Sequence, residues 1–86
     1  MTASYSLRMK RSAEKELRAL SKAELSKVVA RMRLLAADPR PPGSQKMAGE
    51  SQYRVRQGDY RVLYTIDEME KVVEIVKIGH RRDVYR

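Results

Sequence analysis

Cysteine is absent from this 86-residue chain. That excludes disulfide staples and thiolate metal sites, and nothing in the sequence argues for secretion. No apolar run approaches the length needed to span a membrane, so no membrane partner is expected. The N-terminus lacks the continuous apolar segment of a signal peptide, which makes the cytoplasm the default location. Acid is scarce relative to base. Nineteen Lys+Arg stand against eleven Asp+Glu, a formal net charge of +8. An excess of that size on so short a chain favours a polyanionic partner such as nucleic acid, the ribosome or an acidic protein. There is a single histidine, and no carboxylate pair or His/Cys cluster suggests a metal, so no cofactor is expected. Repeats and low-complexity segments are missing as well. The length fits one domain over residues 1–86.

What is present reads in the order β-α-α-β-β-β. Tyr5, Leu7 and Met9 alternate with Ser6 and Arg8, the pattern of a strand with one buried face. From Arg11 the period changes: Ala13, Leu17 and Leu20 recur at helical spacing among charged residues. Ser21-Lys22-Ala23-Glu24 has the form of a capping box opening a second helix. Its stripe is Leu25, Val28, Val29, Met32, Leu35 and Ala36, while Lys22, Lys27, Arg31 and Arg33 read as solvated helix surface with no specific role. Asp38-Pro39-Arg40-Pro41-Pro42-Gly43 ends the helix and forms a rigid connector, because proline can neither continue a helix nor leave its predecessor helical. Residues 45–51 are ambiguous. Three strands follow, at about Tyr53–Gln57, Tyr60–Ile66 and Val72–Gly79. The fold class is α+β: an antiparallel sheet with two helices packed on one face.

The most informative stretch is "YRVRQGDYRVLY", residues 53–64. Gly58-Asp59 suits a two-residue hairpin turn with glycine first. That turn sets Gln57 against Tyr60, then 56 against 61, 55 against 62, 54 against 63 and 53 against 64. Alternation places Tyr53, Val55, Val62 and Tyr64 on a core face and Arg54, Arg56, Arg61 and Leu63 on the other. Arg56 then stands directly opposite Arg61. Like charges across a strand pair are destabilising. Single surface arginines are usually only solvated, but a facing pair with a third neighbour suits an anion site. Guanidinium is a permanently charged fork of donors matched to phosphate.

The last segment, "VEIVKIGHRRDVYR", is apolar on both sides of its strand, so pattern alone does not fix its register. Setting Ile66 against Val72 sends Lys77, Gly79 and Arg81 to the arginine face and buries Val72, Val76 and Ile78, at the cost of placing Glu74 inside. A shift of one residue reverses this, and the first register is preferred. His80 has the unperturbed pKa for proton transfer near neutrality, although a lone histidine beside arginines is more often structural. Tyr85 is either a tail residue or an aromatic platform for a base beside a cationic cleft.

Taken together, these blocks resemble the RelE family of bacterial toxin–antitoxin toxins, within the RelE/ParE superfamily. The resemblance runs over nearly the whole length, through "AEKELRAL", "DPRPPG", "KMAG", "YRVRQGDYRVLYTID" and "VKIGHRRDVYR". It implies a single RelE-like domain and a metal-independent, ribosome-dependent endoribonuclease that enters the A site and cuts messenger RNA. Carried over by position, the family's basic catalytic cluster falls on Arg54, Arg56, Arg61 and Arg81, and its near-terminal aromatic on Tyr85, with His80 a spare candidate for acid or base. The best-known members carry lysine where this chain has Arg54 and Arg56. Arginine hardly gives up its proton, so the general base stays open. The resemblance also implies a RelB-type antitoxin as neutralising partner, with acidic contacts to the arginines, and operator DNA bound only through that antitoxin. Two alternatives remain: a non-enzymatic, ParE-like poison of DNA gyrase with the same fold, against which the arginine cluster and Tyr85 argue, and an RNA- or ribosome-binding module without cleavage.

Overall fold

A computed structural model describes residues 4–47, 51–80 and 82. The elements in chain order are β1 (Ser6–Met9), α1 (Arg11–Arg18), α2 (Lys22–Ala37), β2 (Gln45–Lys46), β3 (Gln52–Gln57), β4 (Tyr60–Asp67) and β5 (Val72–His80). They form one five-stranded sheet of order β1-β5-β4-β3-β2. The two helices carry the chain from the β1 edge to the β2 edge, and β3, β4 and β5 return as an antiparallel meander. β5 therefore arrives beside β1 running in the same direction, and the sheet is mixed rather than wholly antiparallel.

The helices form where the apolar period changes from two to about 3.6. α2 starts at the expected cap: the Ser21 hydroxyl accepts a hydrogen bond from the Glu24 amide at 3.3 Å, satisfying one of the donors left over at a helix start. α1 has no side-chain cap, but the Lys10 amide at its N-terminus donates to the Ile75 carbonyl at 2.9 Å, which ties the helix to β5. Ala13 and Leu17 of α1 and Val28, Met32 and Leu35 of α2 then close over Val55, Val62, Tyr64, Val73, Ile75 and Ile78 of the sheet. Leu63 is buried too, but on the opposite face and outside that cluster, between its cross-strand neighbours Arg54 and Lys77.

The connector after α2 is pinned from below. The Tyr64 phenol, fully buried, donates to the Pro39 carbonyl at 2.6 Å. Burial pushes that phenol up to about 12, so it remains a donor at neutral pH. Tyr53 stacks on Tyr64 at 5.8 Å between ring centroids, and Arg40 lies over the Tyr53 ring at 5.3 Å. Arg40 also reaches Glu68 at 2.7 Å, and Glu68 accepts from the Tyr5 hydroxyl as well. Tyr5 and then Arg40 hold the Glu68 carboxyl below its ordinary value.

The register of β5 departs from expectation. Ile66 pairs with Val73, not Val72, and Tyr64 with Ile75; beyond that, Leu63 pairs with Lys77 and Arg61 with Gly79. Val76 is the extra residue of a β-bulge. The physical reason is a change of phase within the strand. Val73 and Ile75 must face the core from one half and Ile78 from the other, and no unbroken alternation satisfies all three. Val73, Ile75 and Ile78 are accordingly the buried residues, whereas Val72 and Val76 are only half-buried. Glu74 pairs with Thr65 and is kept off the core face.

The edge of β5 that runs past the end of β1 is closed by α1. Glu16 Oε1 accepts from the Ile78 amide at 2.9 Å, and its other oxygen lies 3.4 Å from Lys77 Nζ. A carboxylate thus takes the place of a neighbouring strand. None of the helices is long and apolar enough to cross a membrane, among the described residues.

Candidate anion-binding site

The hairpin forms residue for residue as its alternation dictates: Gln57↔Tyr60, Arg56↔Arg61, Val55↔Val62, Arg54↔Leu63 and Tyr53↔Tyr64. Gly58 takes φ +61°, while Asp59 keeps a negative φ, the distribution of a turn with glycine at its first central position. The pair flanking a two-residue turn is hydrogen-bonded, so the next one, Arg56–Arg61, is of the other kind. There the Cα atoms come to roughly 4.5 Å and the side chains stand closest. The bulge in β5 lies against Leu63 and Tyr64, two residues along β4 from Arg61. Such irregularities increase local twist and re-aim nearby side chains.

Arg54, Arg56 and Arg61 line one cavity of about 420 Å³, together with Arg31, Gly43, Gln45 and Val55. The cavity sits where β2 stops. Its two residues pair only with Arg54 and Tyr53, so among the described residues no strand covers Val55–Gln57 on that side. Arg54 donates to the amide oxygen of Gln45, through Nε at 2.9 Å and through a terminal nitrogen. Arg56 is exposed and donates Nε to the carbonyl of Gly58 at 3.4 Å. It forms no ion pair with any described carboxylate. Arg61 is half-buried. Among the described residues, the cavity is walled by four guanidiniums and by neutral amide and carbonyl groups. Such a wall attracts an anion and offers several N–H donors to its oxygens.

The remaining expected site residues divide. Lys77 and Gly79 share the face of Leu63 and Arg61, as expected, but the Lys77 ammonium is drawn to Glu16. His80 pairs with Tyr60, in register with the core-facing Val62 and Ile78, and so stands on the helix-covered side of the sheet rather than beside Arg61. Its ring meets Tyr60 edge-on at 5.7 Å, and its Nδ1 accepts from the Arg82 amide at 3.2 Å. The reason is parity: His80 is one residue from Gly79, which faces the arginines. Arg81 and Tyr85 lie outside the described residues. Arg31, expected as solvated helix surface, is half-buried and lines the cavity. The available signal was its position three residues after Val28 and four before Leu35, on the flank of the buried stripe. No group of three or more His, Cys, Asp or Glu among the described residues is placed to hold a metal ion.

Over residues 7–85 the sequence matches the family described as ParE toxin of type II toxin-antitoxin system, parDE. The chain belongs to this family, and is a toxin of a toxin–antitoxin system of the RelE/ParE superfamily. The archaeal RelE–RelB complex from Pyrococcus horikoshii OT3 contains a chain 30% identical to it, with a TM-score of 0.81 over 98% of this chain and 100% of that one. The toxin–antitoxin complex RelBE2 from Mycobacterium tuberculosis is similar at 28% identity, with a TM-score of 0.81 over 91% and 99% of the two chains. Toxin RelG of Mycobacterium tuberculosis (strain ATCC 25618 / H37Rv) is 40% identical over 45 residues, 52% of this chain and 49% of that protein. The matched segment therefore spans about half the length of that curated relative.

Proposed function

We propose that this toxin is a metal-independent endoribonuclease that cuts messenger RNA in the ribosomal A site and so stops translation. The observation that carries the reading is the cavity in which Arg56 faces Arg61 with Arg54 beside them. A fold gains no stability from opposing two guanidiniums, whereas a phosphate between them relieves the repulsion.

In this reaction the 2′-hydroxyl attacks the adjacent phosphate, forming a 2′,3′-cyclic phosphate and releasing the 5′-oxygen of the next nucleotide. Arg56 and Arg61 hold the phosphate, where negative charge grows as the phosphorane forms. By resemblance to the family, Arg81 stabilises the departing oxygen, and Tyr85 stacks on a base or passes a proton. His80, on the other side of the sheet, is given no proton step. With arginine the dominant side chain of the site, placement of the RNA by the ribosome supplies much of the rate. Cleavage of naked RNA is therefore expected to be weak and cleavage on translating ribosomes strong, and equal rates on both would count against the proposal. Tyr85→Phe separates stacking from proton transfer, since only the hydroxyl is lost.

The neutralising partner in this reading is a RelB-type antitoxin. Relatives of the same fold were solved as RelB–RelE and RelBE2 complexes. Acidic antitoxin residues opposite Arg54, Arg56 or Arg61 would satisfy the cluster and block RNA. Operator DNA would be reached only through the antitoxin.

A second reading follows from the family description, which names ParE: a non-enzymatic poison of DNA gyrase. Expression from a tightly repressed promoter, with pulse labelling and mapping of transcript ends, decides between them. A nuclease halts protein synthesis first and leaves new messenger ends. A gyrase poison produces DNA damage and filamentation with messenger RNA intact. A binding module without cleavage would keep RNA or ribosome affinity and create no new ends.

A further inference from the structure

Among the described residues, Arg31 is the one cavity residue contributed by a helix. It reaches the arginine cluster from α2, below the connector, whereas Arg54, Arg56 and Arg61 come from the sheet. Its Nε is buried, and no described group accepts from it. The neighbouring Leu35 and Val28 are fully buried aliphatics, and an apolar residue would extend their stripe. Gly43 lies against the Arg31 head group. It has φ +93°, a conformation that suits glycine, and a Cβ there would lie 3.9 Å from an Arg31 terminal nitrogen. The connector is therefore bent back over the Arg31 head group.

We propose that Arg31 is a nucleic-acid-binding residue: it holds a second backbone phosphate of single-stranded RNA, next to the one held by Arg56 and Arg61. The inference rests on the nuclease reading and extends it to a residue outside the family's catalytic cluster. Two observations select RNA backbone as the ligand. A cavity of about 420 Å³ lies within the range that takes a ligand larger than a lone oxyanion, on the order of 300–1,000 Å³. Its cations come from both sides of the sheet edge, as suits a strand of phosphates passing through rather than a point charge resting on one face.

The test is the salt dependence of binding of a short 2′-O-methyl RNA of mixed sequence, which lacks the nucleophile and cannot be cut. Each phosphate neutralised by a protein cation contributes about 0.7 to the slope of log K against log salt for a single strand. Arg31→Gln is expected to lower the slope by about 0.7 and to weaken binding by about tenfold at low salt. Arg31→Lys should restore most of both. Arg33→Gln, the same charge change at an exposed position of α2 outside the cavity, should leave the slope near wild type. A thermal melt of each variant separates loss of folding from loss of contact.

An Arg31→Gln slope equal to that of Arg33→Gln overturns the proposal. So does failure of the wild type to bind this RNA, or an Arg31→Gln variant that loses only affinity for the antitoxin. Transcript-end mapping is read independently. New messenger ends with an unchanged Arg31→Gln slope would sink the role of Arg31 and leave the nuclease reading standing, whereas intact messengers would sink the nuclease reading itself.

Discussion

Arginine is used in two ways in this molecule. Under the connector, Arg40 is bonded to Glu68 at 2.7 Å, donates Nε to the Tyr53 hydroxyl at 3.2 Å and lies over that tyrosine ring. Lys71 and Tyr5 complete the same corner around the Glu68 carboxylate. On β3 and β4 the pattern is reversed. Arg56 faces Arg61, the bonds that Arg54 and Arg56 make to Gln45 and Gly58 are to neutral oxygens, and Arg31 approaches from behind. A paired arginine closes structure. A set of arginines gathered around one cavity concentrates positive charge where an anionic ligand can meet it. The contrast matters because the same residue type, counted in a composition, gives both regions the same weight.

The contrast can be broken most directly at Arg61. Arg61→Ala, and Arg81→Ala with it, should abolish growth arrest and lower cleavage on ribosomes by about 100-fold or more. Its Tm should stay near the wild-type value, or rise slightly once a repulsion is removed. Collapse of either variant in a thermal melt would mean that the arginine is structural and that the two regions do not differ. At the paired corner the opposite outcome is expected. Tyr64→Phe leaves the Pro39 carbonyl without its donor and should cost about 1–3 kcal/mol in denaturant unfolding while growth arrest persists.

Gly58→Ala tests whether the turn itself gathers the cluster. Nothing lies within 4 Å of an added Cβ, so the cost is purely conformational, about 1–2 kcal/mol at φ +61°. Arrest should survive if the register holds, and its loss without unfolding would show that the hairpin has slipped.

The smallest effect is set by acid. Tyr5 and Arg40 lower the Glu68 carboxyl in the folded state. The stabilisation they supply is complete above the unfolded carboxylate range, and it fades as pH falls through the lower, folded value. Glu68→Gln should therefore reduce Tm slightly at neutral pH and not at all once acid has protonated the wild-type group. Solvent screening keeps the difference small, because the group is exposed. A difference that persists in acid would assign the effect to something other than charge.

The hairpin half of this contrast is legible in the sequence, whereas the Arg40–Glu68 corner is not. The hairpin was fixed by a two-residue turn and strict alternation, which leave no freedom of register, so the Arg56–Arg61 pair was legible to the residue. The helices were legible from their stripes and from the Ser21 cap. β2 was not, since two polar residues at a sheet edge carry no periodic signal. The β5 register was misjudged because apolar residues occupy both sides of that strand and hide a bulge. Placing Ile66 against Val72 then buried the wrong valines. Arg31 was missed for a different reason. A helix-wheel reading sorts residues into two faces, and the flank between them is where a long side chain can be buried along its stem and still deliver charge to a cavity.

Val76 has a consequence for how this chain can change length. Alternation runs in one phase through Val73 and Ile75 and in the opposite phase through Ile78 and His80, and Val76 absorbs the mismatch. A chain shortened by that one residue would keep every flanking side chain on its present side and lose only local coiling. Shortening by Ile78 instead would exchange the roles of Gly79 and His80, carrying an imidazole toward the guanidiniums. Single-residue deletions in β5 are thus not equivalent, and the bulge at position 76 is where the strand can lose a residue without trading its two sides.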